Sequence, residues 1–269
     1  MDSYQDFAYV YDEFMDETPY DEWCERIDSI IKEYGVSKPV RNAKGVLDSE
    51  KNLVVDLGCG TGTLTEMLYE KGYDMVGVDN SDSMLAVAME KKSLSGSEIL
   101  YLLQDMRDLE LYSTVGTVVS VCDSVNYILE EDELLDVFKL VNNYLYPGGI
   151  FVFDFNTDYK YREIIGDTTI AENRDNCSFI WENYYDEDSH LNEYDVTVFV
   201  KEENELFRKF TETHFQKGYT AEKIEELIKK SGLQLVLMKD ADTNGDVTRK
   251  SERIYVVAKE ITKKTVSEQ

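Results

Sequence analysis

Along most of this chain, short apolar runs bounded by turn residues alternate with stretches whose apolar residues recur every three or four positions. The first periodic stretch carries Tyr20, Trp23, Ile27, Ile30 and Tyr34 on one helical face. Thr18-Pro19-Tyr20-Asp21 predicts its start, with Thr18 as cap, proline in the first turn and an acid at the capping-box position, and Gly35 its stop. Residues 36–51, with Pro39, Gly45 and several charges, read as a connector. Strands are then predicted at 53–56, 75–79, 99–103, 117–122 and 150–155. Between them the spacing predicts a helix over 64–70 ending at Gly72, one capped by Ser81 that carries Met84, Leu85, Val87 and Ala88, and one over 131–146. In the last, Leu134, Leu135, Phe138, Val141 and Leu145 point inward, and Pro147-Gly148-Gly149 breaks it. Repeated strand–helix alternation predicts an α/β fold, with a mainly parallel, doubly wound sheet covered on both faces.

From about residue 156 to 218 the period changes to two. Segments 179–185, 190–200 and 206–215 read as antiparallel strands separated by turn or charged residues. Thr220 then starts a helix carrying Ile224, Leu227 and Ile228, which Gly232 ends. Segments 233–238 and 253–258 supply the last strands, a hairpin around Asn244-Gly245. The expected organisation is an N-terminal aromatic segment (Tyr4, Phe7, Tyr9, Tyr11, Phe14) and helix over 1–51, a core domain over 52–155 and 219–260, an antiparallel β cap inserted over 156–218, and a loose polar tail over 261–269.

The candidate chemistry sits at the first strand. Val54-Val55-Asp56-Leu57 runs into Gly58-Cys59-Gly60-Thr61-Gly62 and then into a helix. A strand, a glycine turn and a helix in that order begin a nucleotide-type site, because glycine lets the backbone turn sharply and approach a ligand. A second strand ends at Asp79, where an acid is placed to accept from both ribose hydroxyls. The dinucleotide fingerprint wants a third glycine at its sixth position, where Thr63 stands. Asp56 would repel a pyrophosphate but can accept from an ammonium, directly or through water.

Residues 54–65 resemble motif I of class I S-adenosylmethionine-dependent methyltransferases, and Asp79 resembles their ribose-binding acid. The order of elements from about 53 to 259 is similar to theirs, closest to small bacterial members with an antiparallel cap after strand five. The resemblance implies a Rossmann-like, mostly parallel sheet of seven strands with an antiparallel final pair, and S-adenosylmethionine as cofactor. It implies cofactor contacts at Asp56, Gly58, Cys59, Gly60, Gly62, Asp79 and Asn80. After strand three, Gln104, Asp105 and Met106 would meet the adenine; helix capping by Asp105 and core packing by Met106 are the bland alternatives. Met84 would pack on adenine or in the core, and Tyr11 would close over the cofactor or simply strap the core. A backbone carbonyl at Cys122 would contact the cofactor amine. Asp123, Asn126 and Tyr127 are candidates to orient an acceptor, against loop structure and capping. His214 is a candidate base, against a structural strand histidine. Asn126 is not followed by Pro-Pro-Tyr or Pro-Pro-Phe, the signature for exocyclic base nitrogens.

Charge narrows the acceptor. The formal net charge is −27, with 28 basic and 55 acidic side chains, which argues against phosphate backbones and anionic membranes as partners. The expected acceptor is a small molecule. No run approaches a membrane span, and the first residues do not read as a signal peptide. Cys24, Cys59, Cys122 and Cys177 are scattered without zinc spacing, and His190 and His214 are the only histidines, so no metal site is expected and a reducing cytoplasm fits. Two other readings stay open at this point: an NAD-type oxidoreductase on a related sheet, which Thr63 counts against, and a non-catalytic S-adenosylmethionine-binding protein.

Overall fold

The computed structural model describes residues 7–39, 50–202 and 206–264. Tyr4 of the aromatic segment, Gly45 with most of the connector, and the tail beyond Lys264 lie outside the described residues. Two helices, α1 (Ala8–Phe14) and α2 (Tyr20–Tyr34), precede the sheet. The alternating part then runs β1 (Leu53–Leu57), α3 (Thr63–Glu70), β2 (Asp74–Asp79), α4 (Asp82–Ser95), β3 (Leu100–Leu103), β4 (Val115–Ser120), α5 (Glu131–Tyr144) and β5 (Leu145–Asn156). A π turn over Lys160–Ile165 leads into β6 (Thr169–Asn173), β7 (Cys177–Asp186), β8 (Leu191–Lys201) and β9 (Phe207–Lys217). The chain returns through α6 (Ala221–Lys230), β10 (Gln234–Asp240) and β11 (Arg253–Lys259).

Seven strands form one sheet in the order β10-β11-β5-β4-β1-β2-β3, and β6 to β9 form a separate antiparallel sheet. In the large sheet every pair is parallel except those made by β11, which runs against both β5 and β10. Successive strands leave β1 in opposite directions, β2 and β3 to one side and β4 and β5 to the other. The switch point therefore falls between β1 and β4, where an open α/β sheet leaves a crevice beyond its carboxyl ends.

Both faces are dry. Alternation along β5 sends Phe151, Phe153 and Phe155 into the core beneath α5 and α6, and Ile150 and Val152 into the core beneath α2 and α3. Val55 and Leu57 of β1 join the first cluster and Val54 the second. A smaller third cluster joins Val10 of α1 to Tyr194, Val196 and Val198 of β8, with Phe14 edge-on to Phe179 at 4.9 Å. Thus α1 docks on the cap sheet.

Several local expectations change. Helix α2 starts one residue after proline, with Pro19 and not Thr18 at the cap position, and Thr18 Oγ1 donates to Met15 Sδ instead. Ser81 and Thr220 do cap α4 and α6, accepting from Met84 N at 3.3 Å and Lys223 N at 3.2 Å. Helix α5 stops at Tyr144, and Pro147-Gly148-Gly149 lies inside β5. There it forms a bulge: Val115 pairs Leu145 while Thr117 pairs Ile150. The cap has four strands where periodicity shows three, because β6 is short and mostly exposed and so lacks an apolar alternation. At the tail, Thr262 and Lys263 are tied down: Lys263 Nζ donates to the carbonyls of Asn142, Asn143 and Leu145 at the end of α5.

Candidate functional site

A cleft opens over the switch point, and most of the residues singled out from the sequence line it. Asp56, Gly58, Cys59 and Gly60 come from β1 and its turn, Asp79 and Asn80 from the end of β2, and Met84 from α4. Gln104, Asp105 and Met106 reach it after β3, Cys122 and Tyr127 after β4, and Tyr11 from α1. Gly62 does not line the cleft. Its φ is +75°, and a Cβ there would lie 2.5 Å from Tyr101 Oη and 3.1 Å from Ala88 Cβ, so it is a packing position. Gly58, at φ +81°, faces the loop after β4, and a Cβ there would sit 2.6 Å from Ser124 Oγ.

Asp79 is organised to accept. Gly60 N donates to Oδ2 at 2.8 Å and Ser81 N to Oδ1 at 2.8 Å. Burial pushes this carboxyl up, and the backbone donors of Ser81, Gly60 and Asn80 pull it back. Asp56 shares the buried face of Val54 beneath α3, where Thr65 Oγ1 donates to Oδ2 at 2.6 Å. Burial pushes Asp56 up to about 7, with Thr65 opposing the shift and Asp79 adding to it. Burial likewise raises the Cys122 thiol to about 12, so it is neutral and a poor nucleophile.

Asp105 accepts from Arg107 N at 2.9 Å and pairs with the Arg107 guanidinium at 2.6 Å, which holds its carboxyl below the ordinary value. It thus caps a short helical turn while lining the cleft. Gln104 spans the following loop, exchanging hydrogen bonds with both backbone groups of Glu110.

Of the acceptor-side candidates only Tyr127 lines the cleft. Its hydroxyl meets Tyr194 Oη at 2.7 Å and His214 Nδ1 at 3.4 Å, both from the cap. His214 is buried, stacks on Tyr194, and has Glu212 Oε2 at 3.5 Å from Nε2. Asn126 is fully buried and spent on the backbone: it donates to Asn156 O and Lys217 O and accepts from Asn156 N at 2.9 Å. It joins the cap to the core. Asp123 faces Arg253 and Gln216 in place of the cleft.

Sequence reasoning missed Tyr20, Arg107 and Ser124 in the lining. Tyr20 opens the apolar stripe of α2, and its position at the helix end, over the sheet's carboxyl edge, is the only signal it left. Helix α1 closes one side: Asp12 accepts from Thr61 Oγ1 at 2.6 Å and pairs with Lys91 at 2.6 Å. All four cysteines are free thiols, the described residues hold no cluster able to bind a metal, and no described helix is long and apolar enough to cross a membrane.

The donor set suits one kind of ligand. Carboxylates at two strand ends, bare glycine backbone, and Met84 and Met106 beside them match a nucleoside with a cationic tail. A buried carboxylate at Asp56 does not match a pyrophosphate.

Comparison with known proteins agrees. A family model described as a methyltransferase domain matches residues 54–149. The chain is similar to the Bacillus subtilis (strain 168) protein YqeM, which carries a methyltransferase name, at 34% identity over 95% of this chain and 96% of that one. It is similar to the crystal structure of an S-adenosylmethionine-dependent methyltransferase from Clostridium acetobutylicum ATCC 824, with TM-score 0.82, 29% identity, and coverage of 95% and 98%. The fold, cap included, is also that of the sugar N-methyltransferase KedS8 from Streptoalloteichus, with TM-score 0.69, 17% identity and 92% of each chain covered.

Proposed function

We propose that this chain, which belongs to the class I S-adenosylmethionine-dependent methyltransferases, transfers the methyl group to a small-molecule acceptor enclosed beneath the cap. S-adenosylmethionine, when bound, supplies a methyl group already activated on a sulfonium sulfur. Asp79 would receive the ribose hydroxyls on the acceptor capacity its backbone donors leave. Met84 and Met106 flank the base, and Asp105 accepts from its exocyclic amine. Asp56 and the Cys122 backbone receive the ammonium of the amino-acid end, and Tyr11 covers the site. What the chain adds to the chemistry is alignment and a water-poor enclosure, which supply most of what such a displacement needs.

The observation that carries the acceptor reading is Tyr127. It lines the cleft and meets the cap through Tyr194 and His214. An acceptor beside it lies under a folded sheet, which favours a compact molecule over a polymer. A net charge of −27 supports the same choice against nucleic acid. Where the acceptor enters protonated, the Tyr127 hydroxyl would take its proton while passing its own to His214 Nδ1. Free thiols support a reducing, cytoplasmic location.

The test is transfer of labelled methyl from S-adenosylmethionine to a panel of small amines and hydroxyl compounds, with bulk RNA and protein as competing acceptors. Label entering small molecules, and lost in Tyr127→Phe at unchanged S-adenosylhomocysteine affinity, is the expected result. Label entering only RNA or protein would refute the small-acceptor reading.

A further inference from the structure

The loop after β4 passes through two consecutive left-handed residues, Cys122 at φ 61° and Asp123 at φ 52°. Neither is glycine, so the conformation persists only where surroundings over-determine it. Those surroundings are a largely buried charge cluster. Asp154 of β5 accepts from Asp123 N at 2.8 Å and from the Cys122 backbone. The Asp123 carboxylate is gripped by Arg253 Nη2 and accepts from Gln216 Nε2 at 2.7 Å. Arg253 Nη1 lies 3.6 Å from Asp154 Oδ2, and Nε donates to Asn156 Oδ1 at 3.3 Å. The far face of the guanidinium is set by Trp23, whose ring centroid is 5.3 Å away. One guanidinium thus stands between two carboxylates that would otherwise repel each other in a poorly solvated site. β11 can supply it because its antiparallel register sets Arg253 opposite Asn156, at the carboxyl end of β5.

The other side of this turn is cleft wall. Val121, Cys122 and Ser124 line it with Asp56 and Gly58, and the strand order β4-β1-β2-β3 sets them on the other side of β1 from Gln104 and Arg107. Ser124 Oγ lies within hydrogen-bond distance of Val121 O at 2.8 Å and Gly58 O at 3.3 Å, which ties the turn to the glycine loop.

We propose that Arg253 is a positioning residue for the amino-acid end of the cofactor: by holding Asp123 and Asp154 together it fixes the left-handed Cys122–Asp123 turn that forms that end of the cleft. The inference rests on the cofactor reading above. The nucleoside end, built from Asp79 and the loop after β3, does not depend on Arg253. Through Gln216 of β9 the same cluster connects the cap to this wall.

Calorimetry of the full chain with two probes tests it: S-adenosylhomocysteine, and 5′-methylthioadenosine, which keeps the nucleoside and thioether but lacks the amino-acid end. In Arg253→Met, S-adenosylhomocysteine binding falls by about tenfold or more while 5′-methylthioadenosine changes by less than about twofold. Arg253→Lys keeps the buried charge but not the forked contact. It recovers part of the loss and carries the same test if the methionine variant does not fold. Equal weakening of both probes would make Arg253 a purely structural residue and overturn the proposal, as would unchanged S-adenosylhomocysteine binding in a folded variant. A wild-type chain that binds neither probe would overturn the cofactor reading itself. Retained binding of both by wild type and variants overturns only the role of Arg253.

Discussion

Asp79→Ala is the sharpest probe of the cleft. The wild-type carboxylate already takes the backbone N–H groups of Gly60 and Ser81, both at 2.8 Å, and that of Asn80. A vicinal diol would share the acceptor capacity that remains, and alanine removes it. Hydrogen bonds to a charged group contribute about 1.5–3 kcal/mol. Two hydroxyls on one carboxylate share that charge, so the loss is taken as a single increment of that size. At about 1.4 kcal/mol per factor of ten, S-adenosylhomocysteine binding should weaken by roughly 10- to 150-fold. The substitution also strips Gly60 and Ser81 of their acceptor, so the melting temperature should fall, and titrations belong well below the midpoint. Asp79→Asn keeps one acceptor oxygen and should lie between alanine and wild type. Calorimetry reads the affinities. Affinity within about twofold of wild type, in a folded alanine variant, would remove Asp79 from the ribose role.

Three further outcomes follow from the same geometry. Burial pushes Asp56 up to about 7, so in the free chain it is protonated below that pH and ionised above it; affinity for S-adenosylhomocysteine should rise as pH climbs through 7 and then level off, and Asp56→Asn should flatten the titration, whereas a rise that survives in the variant would assign it to another group. Asn126→Leu strands buried backbone groups of Asn156 and Lys217; thermal or urea unfolding should show a loss of about 2–4 kcal/mol with little change in cofactor affinity, and a stability loss below about 0.5 kcal/mol would contradict its structural role. Gly58→Ala places a side chain at φ +81° against Ser124; a loss of about 2–4 kcal/mol from left-handed strain and overpacking, together with lost S-adenosylhomocysteine binding, is expected, and an unshifted melting curve would contradict it.

Much of the core was legible because its signals are local. A parallel strand buried between helices is apolar nearly throughout, and a covering helix shows one apolar stripe, so β1, β2, β4 and β5 and their helices appear as runs and periods, while the half-exposed edge strand β3 was legible from its run of leucine and tyrosine. Ser81 and Thr220 announced their helices because a cap acts across three residues. Thr18 failed in that role because the helix begins at Tyr20, with Pro19 at the cap position. The fourth cap strand was illegible because an exposed edge strand buries too little to leave a pattern. Asn126 stayed open between two readings because an asparagine in a loop looks the same whether it faces a ligand or holds two backbone segments together.

The residues themselves determined that there is a strand-end site and what chemistry it suits. Acids at two strand ends and glycines in the turn between strand and helix are written within a few dozen consecutive positions, and bonded geometry carries them to one crevice. Tertiary structure alone decided which groups meet there from afar. Arg253 reaches Asp123 only because β11 inserts antiparallel beside β5, and Tyr127 meets His214 only because the cap folds back over the sheet. Such pairings depend on strand order and register, which no local pattern encodes, and they shape the end of the cleft that follows β4.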